Sequence, residues 1–246
     1  MAMDDTHPSP FPDAAADRAG AVASVADTAT RYLSEFSNTS ASGYQLDPVD
    51  REIVTRMSNS VSTVMSLATQ ATREASAILA DDTLYPEGRN RLAREAKEAA
   101  AQKTAEAFEQ FETDYLIAEA SLYEQARPKV HRAEAASARM DAQMLLDGAL
   151  NREGASLTQV LQRLARRQDA VGALVSSEWL TDYAMARGMD PDVLDASRVL
   201  LRQAALEGAA ESGDSDRVAA ARTALSLRSL RQAQIAARSF VRMSLS

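Results

Sequence analysis

The chain has 246 residues, 46% of them apolar and 25% charged, which is enough to bury a sizeable core in one large domain or two small ones. Only nine Gly and seven Pro are present, and three of the Pro (Pro8, Pro10, Pro12) fall in the first twelve residues, so the turns of an all-β fold are missing. No β-branched run bounded by turn residues stands out, which disfavours α/β enzyme folds, and a net charge of −8 sets the chain as a whole against nucleic acid and anionic lipid.

Residues 1–13 are acidic and Pro-rich and read as a disordered leader. They lack the basic and apolar stretches of a signal peptide. A first helix is expected over Asp13–Phe36, because Val22, Val25, Ala29, Tyr32 and Phe36 follow 3-4-3-4 spacing. A polar loop, Ser37–Leu46, follows.

Asp47-Pro48 then opens a helix, with Asp47 as N-cap, Pro48 at the first helical position and Asp50 near the positive end of the dipole. This helix has the most regular pattern in the chain. Val54, Met57, Val61, Val64, Ala68, Ala71, Ala75 and Ile78 alternate steps of three and four without a miss. From Thr55 to Thr72, eight of eighteen residues are Ser or Thr and Arg56 is the only charge. A solvated two-stranded coiled coil carries Glu and Lys on such flanks. The helix is therefore expected to be surrounded by other helices, of its own chain or of neighbouring copies. The seam is taken as a self-association surface.

Pro86-Glu87 starts a long helix over Pro86–Arg127, about 60 Å at 1.5 Å per residue. Its first half is dense in Ala and charge and is expected to be exposed. Its second half carries a seam of Phe108, Phe111, Tyr115, Ala118 and Leu122. Pro128 kinks or ends it, and Val130–Leu150 continues as helix. After a turn at 151–154, Ser156 and Gln159 match a capping box. Shorter helices follow over Leu157–Gln168, Ala170–Ser176, Glu178–Arg187, Pro191–Leu206 and Asp216–Met243, with Gly188 as a C′ stop and Asp190-Pro191 as a further start. The reading is an all-α fold in which long helices with heptad seams (14–150) precede a compact bundle of shorter helices (156–246).

Motifs for chemistry are sparse. There is no Cys, so disulfides, thiolate metal sites and Cys nucleophiles are excluded. The two His are His7 in the leader and His131, which has Glu134 three residues on but no second His to complete a metal set. Asp214-Ser215-Asp216 reads as an N-cap for the last helix. Glu95, Glu98, Glu106, Glu109 and Glu112 form a charge run that reads as a solvated helix face. No phosphate loop, GxSxG or Rossmann glycine pattern occurs. The reading is non-enzymatic, with no cofactor and no metal. No apolar run reaches the roughly 18 residues of a membrane span.

The strongest electrostatic feature is at the C-terminal end. Arg217–Ser246 holds six Arg and no acid, while the other 216 residues carry 21 basic against 35 acidic side chains. On a helix, Arg217, Arg228, Arg231, Arg238 and Arg242 fall within an arc of about 80°. Val218, Leu225, Ala236, Phe240 and Met243 flank this stripe on one side, and Leu227, Leu230, Val241 and Leu245 on another. The stripe is expected to dock on an acidic protein surface. The alternatives are a solvated face and nucleic acid, the latter opposed by the acidic body and by the absence of interleaved aromatics.

The acidic, Ala- and Arg-rich, long-helix layout, with Thr83-Leu84-Tyr85-Pro86-Glu87-Gly88-Arg89 opening a long helix, resembles small structural proteins of tailed bacteriophages of actinobacteria. The resemblance implies a role in head assembly, scaffold-like or accessory, in the virion or the host cytoplasm. It also implies a capsid or portal protein as partner, met by the Arg217–Arg242 stripe, while the heptad seams, which bury one face only by pairing, predict a homo-oligomer. Two other readings stand beside it: a nucleic-acid-binding helical protein that uses the stripe, and a bacterial adaptor or secretion substrate that uses the Pro-rich leader.

Overall fold

A computed structural model of the chain describes residues 14–40, 46–150, 156–188 and 191–246. Of these, 86% are helical, in nine helices, and no strand occurs among them. The all-α class is as the sequence predicts. The leader, the 151–154 turn and Asp190 lie outside the described residues.

The first helix, α1 (Ala14–Ser40), runs four residues past its expected end at Phe36. Thr39 extends it by donating from its hydroxyl to the Glu35 carbonyl at 2.9 Å. Next, α2 (Pro48–Ala80) begins as its cap predicts, with the Val49 N–H donating to Asp47 Oδ1 at 2.9 Å. Then α3 (Pro86–Ala126) ends just before Pro128, which terminates the helix rather than kinking it. The chain from 127 to 134 is non-helical, so α4 (Ala135–Leu150) starts five residues later than Val130.

The shorter helices are α5 (Leu157–Ala165), α6 (Ala170–Val175), α7 (Trp179–Ala186) and α8 (Pro191–Ala210). Ser156 sits at the N-cap of α5, but its side chain makes no capping bond, so the capping box is not formed. Asp169 does cap α6, accepting from the N–H groups of Val171 and Gly172. Gly188 has φ +71°, the left-handed conformation that a C′ glycine supplies after α7. The last helix, α9 (Ser215–Leu245), starts at Asp214, whose carboxylate accepts from the N–H groups of Asp216 and Arg217 at 3.1 and 3.3 Å.

Two compact units result, and neither is contiguous in sequence. Of the described residues, one contains those up to Ser34, Arg56–Glu112 and Ser229–Ser246; the other contains those within Glu35–Thr55 and Thr113–Arg228. This differs from the expected split into 14–150 and 156–246, because α1, α2, α3 and α9 are each long enough to contribute to both units.

In the first unit the α2 seam is buried. Met57, Val61, Val64, Ala68, Ala71 and Ala75 are all at most 5% exposed, and Ile78 is half-buried. Val54, at the foot of the same seam, is buried too. This burial is within a single chain, so Val54, Met57, Val61, Val64, Ala68, Ala71, Ala75 and Ile78 are intramolecular packing positions and not a free self-association face. The Ser/Thr flanks are absorbed locally. Thr69, Thr72 and Ser76 each donate to the carbonyl four residues back, and Thr72 also donates to the Ser244 carbonyl of α9 at 3.1 Å. Ser60 reaches the Ala107 carbonyl of α3 at 3.4 Å. The charge-dense first half of α3 is largely exposed; Ala93, Ala100 and Thr104 are buried and prolong the Phe108–Phe111 line, with Arg89, Leu92, Ala96 and Lys97 half-buried. The end of α9 is tied down by Arg18 of α1, which donates to the Met243 and Ser246 carbonyls, and by Lys97 of α3, which donates to the Ser246 carbonyl. Cations at the negative end of a helix dipole are favourable.

In the second unit, α4 packs on α5 and α6, α5 on α8, and α7 on α6 and α8. Leu146, Leu161, Val175, Leu180 and Tyr183 anchor that core. Two glycines allow the closest approaches. A methyl group at Gly172 of α6 would meet the Arg167 carbonyl, and one at Gly208 of α8 would meet the Arg166 carbonyl, both backbone atoms at the end of α5.

Val61→Asp should destabilise the chain by about 3 kcal/mol or more, because it buries an unpaired charge; a urea titration with an unchanged midpoint would show the seam to be exposed. Alanine normally stabilises a helix over glycine by about 1 kcal/mol. Gly20→Ala, in open space on α1, should therefore raise the thermal midpoint. Gly208→Ala should lower stability by about 1–3 kcal/mol, since the carbonyl it meets is fixed backbone.

Candidate functional site

The expected Arg stripe lies on α9, and its chemistry depends on how that helix is packed. The helix is buried on most of its circumference: Val218–Ala221, Leu227, Leu230, Ala233, Gln234, Ala236, Ala237, Phe240 and Val241 are all at most 8% exposed. Alanine at six of these positions lets neighbours approach closely. In the second half of the helix, what remains for water is chiefly one line with 3-4-3-4 spacing: Arg228, Arg231, Ile235, Arg238 and Arg242. Of the two apolar faces expected beside the stripe, Val218, Ala236 and Phe240 on one and Leu227, Leu230 and Val241 on the other are buried, while Leu225, Met243 and Leu245 are half-buried.

The structure separates the five arginines. Arg217 is not part of an open stripe. It is half-buried, donates from Nε to the Ala126 carbonyl at 3.0 Å and from Nη2 to Gln168, and so caps the end of α3. Arg231 and Arg238 both reach Glu112 of α3, at 3.7 and 3.8 Å. Arg238 also lies over the Phe108 ring, 5.0 Å from its centroid. Gln234, itself buried, donates to Glu112 at 3.3 Å. Both arginines remain about half-exposed in spite of these contacts, with side-chain exposures of 47% and 55%. Arg228 and Arg242 are exposed and make no ion pair with any described residue. Ile235, at the middle of the line, is 48% exposed, so the ridge is basic with an apolar centre.

Sequence reasoning did not find Glu112 as the partner. The signal was present, because Glu112 was the last member of the acidic run, but nothing local says which helix that run faces.

The second unit holds two clefts. One, of about 890 Å³, is lined by Asp47, Asp169, Asp214, Arg127, His131 and Arg217 among others. Three of its four aspartates, Asp47, Asp169 and Asp214, are the caps of α2, α6 and α9, so their oxygens already serve backbone N–H groups; the fourth is Asp216. No group of three or more potential metal ligands is assembled among the described residues. The other cleft, of about 580 Å³, is lined by Leu116, Tyr123, Leu180, Leu201 and Arg202 among others. Tyr123 donates to the Ser176 carbonyl at 3.2 Å, and Arg202 covers its ring at 5.4 Å. Burial raises the Tyr123 pKa above the usual phenol value.

One further polar cluster joins α4 to α7. The Tyr183 hydroxyl donates to Asp147, Arg187 Nη2 donates to the same carboxylate at 2.8 Å, and Arg187 lies over the Tyr183 ring. Trp179 stacks on Tyr183, with centroids 5.3 Å apart. Burial, and then the bond to Asp147, push the Tyr183 pKa up to about 12. The Tyr183 bond, followed by Arg187, holds Asp147 below the ordinary carboxylate range.

Comparison with protein-family models, curated proteins and solved structures gives no match. Among the described residues no helix is long and apolar enough to cross a membrane.

The Asp147 cluster has a pH signature. A carboxyl with a lowered folded pKa contributes stability at neutral pH that is lost as pH falls below the usual Asp value near 3.9 and through the folded pKa. Acidification should therefore release Tyr183 and change the fluorescence of Trp179, the single tryptophan. Asp147→Asn should flatten that acid-side transition; an unaltered fluorescence–pH profile in the variant would remove Asp147 as its cause.

Proposed function

We propose that the chain is a non-catalytic assembly protein that acts by docking its α9 ridge on an acidic protein surface. The system that fits its layout is the head of a tailed bacteriophage, with the chain as a scaffold-like or accessory component and a capsid or portal protein as partner. The observation that carries the reading is the ridge itself. A helix buried on most of its circumference leaves, in its second half, chiefly one exposed line, Arg228, Arg231, Ile235, Arg238 and Arg242, with Gln232 beside it. A row of guanidinium groups around one aliphatic side chain suits a carboxylate-rich protein face, since it supplies bidentate donors and a small apolar centre. The phage assignment rests on the resemblance in layout, from Thr83-Leu84-Tyr85-Pro86-Glu87-Gly88-Arg89 into the long helix.

Arg228→Glu with Arg242→Glu tests the ridge with little risk to the fold, because neither side chain holds a described internal contact. The purified chain is titrated against the capsid and portal proteins encoded in the same genome. The wild type is expected to bind one of them, and the double variant to bind at least about tenfold more weakly at unchanged helicity. Equal binding by wild type and variant would make the ridge a solvated face. Retention of the wild type on duplex DNA, falling steeply with salt, would favour the nucleic-acid reading instead.

A further inference from the structure

The second unit leaves a groove and a helix face uncovered. The groove is the cleft of about 580 Å³, within the roughly 300–1,000 Å³ of ligand pockets. One wall is α3, whose Leu116, Ala120, Tyr123 and Arg127 line it with 4-3-4 spacing. That line is one side of the helix and about 16 Å long, or three turns. The other wall is α8, with Leu201, Arg202 and Leu206, and the α6–α7 junction adds Val175 and Leu180. Val175, Leu180 and Leu201 are buried, so the floor is apolar, while Leu116 on the α3 wall is 63% exposed.

The uncovered face is on α4. Ala138, Ala142 and Leu146 turn one side of this helix into the core of the unit. Met140 and Met144 stand on the opposite side, 65% and 71% exposed, with Ala136 exposed one turn before them. A helix that is apolar on two sides is ordinarily covered on both, and among the described residues nothing covers the second. Methionine is unbranched and polarizable, and it fills irregular apolar gaps.

Charge selects the occupant of the groove. Glu119 stands on the α3 wall and Arg202 on the α8 wall, where it lies over Tyr123; neither makes an ion pair with any described residue. On α4, Arg139 and Asp141 flank Met140 at about 100° to either side. Both are exposed, and neither makes an ion pair with any described residue. Laid in the groove with its methionines down, a helix of this sequence turns Arg139 to one wall and Asp141 to the other. One of its two directions sets Arg139 against Glu119 and Asp141 against Arg202, so that all four charges are met.

We propose that α4 of a second copy of this chain docks in this groove, with Met140 and Met144 on the apolar floor. The two surfaces differ, so the contact is heterologous and can pass from copy to copy. It replaces the buried α2 seam as the self-association surface, and it is independent of the α9 ridge.

The test is a pair of complementary variants, read by sedimentation of the full chain. Met140→Glu with Met144→Lys spoils the face, and Leu116→Glu with Ala120→Lys spoils the groove. All four positions are exposed on helices. Each pair places Glu four residues before Lys, which supports a helix, and leaves the net charge unchanged. Circular dichroism checks that helicity is kept. The wild type is expected to associate as its concentration rises. Each variant alone should associate at least about tenfold more weakly, because docking would press charge onto an apolar surface. An equimolar mixture keeps one intact face and one intact groove. It should form a 1:1 pair that grows no further, since the surfaces left over are both spoiled. A wild type that stays monomeric at high concentration, a variant that associates like the wild type, or a mixture that does not pair would each overturn the proposal. If a double variant loses helicity, Met144→Lys alone and Ala120→Lys alone take its place under the same criteria. Capsid or portal binding that is lost on reversing Arg228 and Arg242 concerns the ridge, so the two readings stand or fall separately.

Discussion

Close helix approach through alanine is the constraint on which the rest of the molecule depends. The seams of α2, α3 and α9 bury Ala68, Ala71, Ala75, Ala100, Ala118, Ala126, Ala219, Ala220, Ala221, Ala233, Ala236 and Ala237. Each methyl group removes little apolar surface from water, so each contributes little alone. Stability must then come from length and from a few large anchors. Phe111, Met57, Leu122, Leu146, Leu227 and Leu230 are the largest apolar side chains that are almost fully buried, and all but Leu146 of α4 lie on these three helices. Small contacts also leave little tolerance, and every buried position on such a seam is sensitive to added volume or charge. The glycines of α6 and α8 extend the same logic to backbone-on-backbone contact, where even a methyl group is too large.

Periodicity made the helices legible because burial in a helix repeats with the helix. All eight positions of the α2 seam were read from spacing alone, and they are the covered side of that helix. The poverty of charge between Thr55 and Thr72 was read as crowding by other helices, yet Thr55, Arg56, Asn59, Ser62, Thr63, Ser66 and Gln70 are exposed, while Thr72 and Ser60 reach the backbones of α9 and α3. Spacing cannot say what does the covering. The seam was read as facing helices of its own chain or of neighbouring copies and was taken as a self-association surface, whereas it is buried within the single chain. The domain boundary failed for a related reason. A helix of thirty or more residues outlasts one compact unit, so composition along the chain does not follow the grouping in space. Local signals also erred where a side chain had a choice. Ser156 had the sequence of a capping box without forming it, while Asp169, which carried no such pattern, caps α6 with two bonds.

The ridge was legible as a pattern and not as a set of roles. Helical geometry grouped five arginines and predicted apolar faces on both sides, and those faces are buried except for the half-buried Leu225, Met243 and Leu245. It could not separate Arg217, which sits where α9 begins and turns inward to the end of α3, from Arg242 in open water. Nor could it pair Arg231 and Arg238 with an acid one hundred and more residues away. Intrahelical spacing is fixed by covalent geometry, while the partner across a helix interface is set by how whole helices stack.

The packing of α9 also explains why its charge is so concentrated. A helix covered on most sides has few positions at which a charged residue is tolerated, and here those positions form a single line. Placing four arginines on one line puts like charges at spacings of three and four, where each pair costs a few tenths of a kcal/mol. Glu112 offsets part of this by lying between Arg231 and Arg238. Nothing among the described residues does so for Arg228 or Arg242, and Ile235 keeps an aliphatic side chain in water at the centre. A solvated face under no other demand would relieve the strain with a glutamate at one of these turns, as α3 does where Arg91 pairs with Glu95 at 3.7 Å. From Arg217 onward α9 has no acid at all. The repulsion along the ridge is therefore retained by the sequence, and an acidic surface laid against it is the arrangement that lowers it.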